Sequence, residues 1–137
     1  MIVLDTSIAA ALVLPDETEV PGAIRRRIFA GPVIVPQHWW LEIANALVSA
    51  ERRKRLSRAA REGALEQLRT LQVRSDELTA QAAWTESLRL ADQHRLTMYD
   101  APYLELASRL SAALASTDAD LVEAARARGI EVLTYAP

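Results

Sequence analysis

Short apolar runs alternate along the chain with longer segments of helical periodicity. Four of these runs predict buried strands, because they hold β-branched or small apolar residues and end at polar or turn-forming residues. The predicted strands are Met1–Leu4, Val33–Val35, Ala113–Ser116 and Ile130–Thr134. A further short extended segment is expected to open at Val73.

The segments between these strands predict seven helices. They cover Ile8–Leu14, Val20–Ala30, His38–Arg55, Ser57–Leu71, Leu78–Gln93, Asp100–Leu110 and Asp118–Arg128. Gly129 is expected in the left-handed position that follows the last helix. Strands that alternate with helices imply a parallel sheet covered on both faces. We therefore expect an α/β fold, a three-layer α/β/α sandwich with a central, mostly parallel sheet of four to five strands, in a single domain over residues 1–137.

The residue types in the chain exclude several kinds of site. The 137 residues include no cysteine, which excludes disulfides, thiol nucleophiles, iron–sulfur clusters and cysteine zinc sites. The two histidines, His38 and His94, are too few for a three-histidine zinc site. The four glycines form neither a G-x-G-x-x-G motif nor a P-loop. Any metal ligands are therefore expected to be oxygen atoms.

Charge and hydropathy bear on partners and location. The 16 basic and 18 acidic residues give a net charge of −2, which argues against a general polyanion binder. The longest apolar run, Ile8–Leu14, is far shorter than the roughly 20 residues of a membrane-spanning helix. The N-terminus has no basic leader of the secretory kind, so a cytoplasmic protein without a membrane association is expected.

Two acidic residues stand in apolar surroundings. Asp5 ends the first predicted strand, at the edge of the sheet where ligands bind in parallel α/β proteins. Capping of the next helix is the alternative role for Asp5. Glu42, Asn45 and Ser49 share one narrow polar stripe on the third predicted helix, whose other residues are mostly apolar. This pattern predicts a largely buried helix with an internal polar pocket, the alternative being a thin solvent-facing edge.

Three further aspartates lie where predicted helices begin. Asp100 opens one helix, and Asp118 and Asp120 follow the strand that ends at Ser116. Capping of a helix, or interaction with its dipole, is the alternative role for each. Together with the two acids above, they place carboxylates at the ends of at least two strands. Such a cluster suits Mg²⁺ or Mn²⁺, which can lower the pKa of a bound water and stabilise an in-line displacement at phosphorus.

Four segments of the sequence resemble, in their order, a PIN domain of the VapC toxin type. They are I-V-L-D-T-S, P-x-x-W-W-L-E-I-A-N-A-L, Y-D-A-P-Y-L-E-L-A and S-T-D-A-D-L-V-E-A-A-R-A-R-G-I-E-V-L. The resemblance covers the whole chain. It implies that the catalytic residues are Asp5, Glu42, Asp100 and Asp118, and that the metal ligands are Asp5, Asp100, Asp118 and Asp120. Thr6 or Ser7 matches the hydroxyl that follows the first acid in this family. Thr6 and Ser116 are expected to orient Asp5, and Asn45 to lie beside Glu42.

The same resemblance implies an activity and partners. It implies an endoribonuclease that uses Mg²⁺, with Mn²⁺ as a possible substitute, and that cleaves structured RNA such as transfer or ribosomal RNA. It also implies a homodimer and a VapB-like antitoxin as the partner in a type II toxin–antitoxin pair. Arg52, Arg53 and Arg55 are candidates for phosphate contacts, their alternative being a favourable interaction with a helix C-terminus.

Three alternatives remain open from the sequence. An RNA-processing PIN nuclease outside toxin–antitoxin systems would carry the same motifs. His38 and Glu42, four residues apart, could form an acid–base pair that needs no metal. The third alternative is a receiver-like acidic module without enzymatic activity, which would usually carry an acid pair after the first strand and a lysine after the last strand. This chain has one aspartate after the first predicted strand, and its only lysine, Lys54, lies in mid-chain.

Overall fold

The computed structural model describes residues 1–137 and contains five short strands and eight helices. Each strand has two or three residues, and the strands are β1 Ile2–Leu4, β2 Val33–Val35, β3 Val73–Ser75, β4 Ala113–Ala115 and β5 Val132–Leu133. The helices are α1 Thr6–Ala11, α2 Gly22–Ala30, α3 Trp39–Arg52, α4 Arg58–Arg69, α5 Thr79–Ala83, α6 Glu86–His94, α7 Ala101–Leu110 and α8 Ala119–Ala127. At least one helix separates each strand from the next.

The five strands form one sheet in the order β3-β2-β1-β4-β5, and all four pairings are parallel. β1 is central, since Ile2 pairs with Val33 on one side and with Ala113 on the other. Its three residues are all buried, as expected for a strand that helices cover on both faces. The α/β/α fold class predicted from the sequence is confirmed, with five strands.

Helix α7 belongs to the core of the protein. All seven residues from Ala101 to Ala107 are buried, and the helix contacts both β1 and β4. A helix that is buried around its whole circumference gains its stability from packing. The hydroxyl of Tyr103 lies 3.1 Å from Thr6 Oγ1, so the first turn of α7 is fixed at the carboxyl end of β1.

Helix α3 is amphipathic, and the prediction that it is largely buried is wrong. Its buried residues share one face and are Trp39, Ile43, Leu47 and Ala50. On the outer face Trp40 is 48% exposed and Leu41 is 75% exposed. Apolar atoms form much of any protein surface, so apolar residue type alone overstates burial.

The predicted helix over Leu78–Gln93 is two helices, α5 and α6, and this prediction is also wrong. The break is at Thr85, whose φ of −122° and ψ of −98° are not helical. The Thr85 hydroxyl lies 3.4 Å from the carbonyl oxygens of Gln81 and Ala82. Local bonding of this kind competes with the helical hydrogen-bond pattern.

The chain passes directly from β1 into α1. Helix α1 begins at Thr6, two residues before the predicted start at Ile8, and only Asp5 separates it from the strand. At the other end of the chain, Gly129 has a φ of 69°, which confirms the left-handed turn predicted after the last helix. No helix is both long enough and apolar enough to cross a lipid bilayer.

Candidate active site

Asp5 lies at the carboxyl end of the central strand and is 6% exposed. It occupies the position before α1, but its side chain makes no capping hydrogen bond, so the capping alternative is wrong for this residue. The carboxylate instead accepts hydrogen bonds at Oδ2 from Ser7 Oγ, at 2.5 Å, and from Ser116 Oγ, at 2.7 Å. Its Oδ1 carries no hydrogen bond.

Two serines connect Asp5 to the loop that follows β4. Ser116 Oγ accepts a hydrogen bond from the backbone N–H of Asp118, at 3.0 Å, and Ser7 Oγ accepts one from the N–H of Thr117, also at 3.0 Å. Each serine hydroxyl thus receives one hydrogen bond from this loop and donates one to Asp5. The position of Asp5 and the start of α8 are therefore fixed relative to each other.

Glu42 reaches the same region from the first turn of α3. Its Oε2 accepts a hydrogen bond from Thr6 Oγ1, at 2.8 Å, and lies 3.3 Å from the hydroxyl of Tyr103. Its Oε1 is 2.9 Å from His38 Nε2. That nitrogen is also 2.8 Å from the Tyr99 carbonyl oxygen. Because both of these neighbours are acceptors, we infer that Nε2 carries a proton. The N–H bond points at the Tyr99 carbonyl, so the buried Glu42 Oε1 receives no hydrogen bond.

The residues that hold the acids differ in part from those predicted. Ser116 does contact Asp5, but Thr6 contacts Glu42, and the second hydroxyl on Asp5 belongs to Ser7. Asn45 is exposed and makes no hydrogen bond in the site, because it lies on the outer face of α3. Tyr103 was not predicted from the sequence, although it follows Asp100 by three residues and so lies on the same side of a helix.

Asp100, Asp118 and Asp120 form the more open side of the site. Asp100 is part-buried before α7, caps nothing with its side chain, and accepts a hydrogen bond at Oδ2 from Thr97 Oγ1, at 2.9 Å. Asp118 is exposed and caps α8, its Oδ1 accepting from the N–H of Leu121 at 2.8 Å, so the capping role is correct for this residue. Asp120 is exposed in the first turn of α8.

Neighbouring acids raise the pKa of Asp5 and of Asp100. Burial raises the pKa of Asp5 above its ordinary value, and the charges of Glu42 and Asp100 raise it further, against the effect of its two serine donors. Burial likewise raises the pKa of Asp100, and the charges of Asp118, Glu42 and Asp120 add to this effect. Carboxylates that repel one another at the end of a sheet are stabilised in their charged form by a cation.

His38 is the basic side chain in contact with these acids. Burial disfavours the imidazolium, but the adjacent Glu42 carboxylate and the Tyr99 carbonyl outweigh it and raise the pKa of His38 above its ordinary value. The ring also packs edge-on against Tyr103, with 5.5 Å between ring centroids. When protonated, His38 offsets part of the negative charge on the Glu42 side of the site.

The acids suit a divalent ion in their chemistry. Asp5, Asp100 and Asp118 each have one oxygen in hydrogen bonds and one oxygen without any, whereas the second oxygen of Glu42 lies beside His38. Oxygen donors of this kind are those that Mg²⁺ and Mn²⁺ prefer. No three Asp, Glu, His or Cys side chains are grouped closely enough to hold an ion as they stand, so binding one requires the side chains to draw together.

The three candidate arginines differ in what they contact. Arg55 is engaged by two acids, with its Nε 2.5 Å from Asp16 Oδ2 and its NH2 group 3.0 Å from Glu17 Oε1. Arg52 and Arg53 are exposed near the C-terminus of α3 and take part in no ion pair. Arg52 and Arg53 are therefore the members of this set whose charge is free for another partner.

Comparison with known proteins agrees with this architecture. The sequence profile of the PIN domain matches residues 2–127, and the chain belongs to the PIN domain family. The fold is also similar to the crystal structure of PAE2754 from Pyrobaculum aerophilum, with a TM-score of 0.70 and 23% sequence identity over 96% of this chain and 82% of that one. No curated protein matches the chain.

Family membership gives the class of the protein. The PIN domain is the fold of metal-dependent nucleases, and its members as a class hydrolyse nucleic acids. The carboxyl ends of β1 and β4, together with the starts of α3, α7 and α8, supply the acids of the site. Because the chain is a PIN domain, the alternative of a receiver-like module is wrong.

Proposed function

We propose that this chain is a Mg²⁺-dependent endoribonuclease and the VapC-type toxin of a type II toxin–antitoxin pair. The observation that carries the proposal is the convergence of Asp5, Glu42, Asp100 and Asp118 at one edge of the sheet, where neighbouring negative charges act on Asp5 and Asp100. Four acids brought together from distant parts of the sequence destabilise the fold unless a cation balances their negative charge. Carboxylate oxygens are ligands that Mg²⁺ and Mn²⁺ prefer, so we infer that the cation is one of these two.

The proposed chemistry divides between the ion and the protein. When bound, the ion supplies Lewis acidity, which lowers the pKa of water and stabilises the charge that develops at the scissile phosphate. Asp5, Glu42, Asp100 and Asp118 would hold it through carboxylate oxygens, and Asp120 would assist from the exposed side. Ser7 and Ser116 keep Asp5 in place through its other oxygen. No side chain is needed as a nucleophile, because water attacks the phosphate.

The proposed substrate is a structured RNA, either transfer RNA or ribosomal RNA. Arg52 lies ten residues beyond Glu42 on α3, which corresponds to about 15 Å along the helix axis. A folded RNA bound at the acids extends easily over that distance. Arg52 and Arg53 would then contact phosphates away from the scissile bond, where guanidinium groups favour bidentate hydrogen bonds.

A cleavage assay tests the nuclease proposal. Asp5→Asn and Asp100→Asn should each abolish cleavage of total RNA in Mg²⁺, and EDTA should abolish cleavage by the wild-type protein. Glu19→Gln is the matched control, because Glu19 is an exposed acid that makes no ion pair. Activity that persists in both aspartate variants would refute the proposal. Activity that survives EDTA but is lost in His38→Ala would favour the metal-free pair of His38 and Glu42.

Two further measurements test the toxin assignment. The product of a neighbouring short reading frame should co-purify with this chain and inhibit cleavage, as a VapB-like antitoxin does. Light scattering should give the mass of a homodimer, about twice 15.1 kDa. Nuclease activity without any such inhibitor would favour an RNA-processing PIN nuclease outside toxin–antitoxin systems.

A further inference from the structure

Two adjacent hydroxyl residues at the start of α1 hold two different acids. The Thr6 hydroxyl donates to Glu42, and the hydroxyl of Ser7 donates to Asp5. Successive residues of a helix point about 100° apart, so neighbours at its first turn can serve partners on different elements. The first turn of α1 therefore fixes one acid that comes from β1 and one that comes from α3.

Tyr103 supplies a second group on the Glu42 side. It is fully buried, and its hydroxyl lies 3.1 Å from Thr6 Oγ1 and 3.3 Å from Glu42 Oε2. No other polar atom hydrogen-bonds to it. A tyrosine hydroxyl is protonated at neutral pH, so the phenol is a hydrogen-bond donor. Its single hydrogen serves Glu42 either directly or through the oxygen of Thr6.

The two hydroxyls act on the same oxygen of Glu42. Both lie within hydrogen-bond distance of Oε2, while Oε1 is buried 2.9 Å from His38 Nε2. A tyrosine that merely satisfied its own hydroxyl in the core could do so with any backbone carbonyl. Here its acceptors are a proposed metal ligand and the residue that holds that ligand.

We propose that Tyr103 is a positioning residue, which fixes Oε2 of Glu42 together with Thr6 and so holds the Glu42 carboxylate in place for the divalent ion. This inference rests on the proposed function, because it takes Glu42 as part of the metal site. Groups that orient metal ligands typically contribute about 10-fold to 100-fold in affinity or activity. Removal of the Tyr103 hydroxyl should therefore lower the affinity for the divalent ion while the fold stays intact.

Calorimetric titration with Mn²⁺ tests the inference on the full chain. Tyr103→Phe keeps the ring and loses the hydroxyl, and it should weaken Mn²⁺ binding by about 10-fold. Thr6→Val should do the same, whereas Thr6→Ser, which keeps a hydroxyl, should restore binding. Tyr135→Phe is the matched control, since it also removes a tyrosine hydrogen bond, to the carbonyl of Thr18, away from the acids.

A double-mutant cycle separates positioning from general stability. If Tyr103 acts through Glu42, then Tyr103→Phe should have no further effect on Mn²⁺ binding once Glu42→Ala is present. Equal weakening in both backgrounds, or binding by Tyr103→Phe equal to that of the wild type, would overturn the inference and leave the proposed nuclease intact. A wild-type protein that neither binds Mn²⁺ nor cleaves RNA would overturn both.

Discussion

Replacing Ser116 by alanine tests how the site is held together. Ser116 is fully buried, donates to Asp5 Oδ2 at 2.7 Å and accepts from the N–H of Asp118 at 3.0 Å. A hydrogen bond to a charged group contributes about 1.5–3 kcal/mol, and one between neutral groups about 0.5–1.5 kcal/mol. Ser7 still holds Asp5 in the variant, so we expect the free energy of unfolding to fall by about 2–3 kcal/mol.

Ser87 offers a control of the same residue type. It is also fully buried, but its hydroxyl has no hydrogen-bond partner. Ser87→Ala removes an unsatisfied polar group and favours the helix, so the free energy of unfolding should stay equal or rise by up to about 1 kcal/mol.

Urea denaturation of the metal-free protein, followed by tryptophan fluorescence, measures both variants. The m-value should not change, so that a shift in midpoint reports stability alone. Ser116→Ala should unfold at lower urea than the wild type and Ser87→Ala should not. Equal shifts in the two variants would refute the reasoning, because the contacts of Ser116 would then contribute nothing beyond its burial.

Two further predictions concern charge. The folded-state pKa of Asp5 is raised above the ordinary 3.8, so ionisation of Asp5 destabilises the fold; this destabilisation is absent below pH 3.8 and grows until the pH has passed the raised pKa. In urea titrations Asp5→Asn should therefore become increasingly stable relative to the metal-free wild type as pH rises from about 4. A difference in stability that shrinks as pH rises would contradict this. The Arg109 guanidinium lies 2.7 Å from a carboxylate oxygen of Asp76 and 2.7 Å from one of Glu105, and both acids are buried. Arg109→Met leaves these carboxylates without their cation and should lower the free energy of unfolding by about 3 kcal/mol. A loss below about 1 kcal/mol would show that the ion pairs contribute little.

The sequence predicts the sheet better than the helices around it. Runs such as Met1–Leu4 are apolar throughout because their strands are buried on both faces, and this signal is local. Helix burial is not local in the same way. Trp40 and Leu41 follow Trp39 without any change of residue type, yet only Trp39 faces the core, and the sheet on which α3 packs decides which side that is.

The acids of the site are visible in the sequence, whereas their hydrogen-bond partners are not. Asp5 and Asp118 each follow a strand, and the ends of parallel strands meet at one edge of a sheet. Which hydroxyl faces Asp5 depends on the residue at which α1 begins, and a shift of one residue turns a side chain by about 100°. Tyr103 reaches Thr6 across 97 positions of sequence, a contact that no local pattern can indicate.

Strand β3 shows how a weak sequence signal can serve the folded protein. It pairs with β2 on one side only, so its other side carries unpaired backbone groups at the open edge of the sheet. Its residues are Val73, Arg74 and Ser75, of which the last two are exposed. Open edges are templates for strand addition by a second molecule, and short length and a charged side chain both oppose it. The polarity that makes β3 inconspicuous in the sequence thus protects the protein against edge-to-edge aggregation.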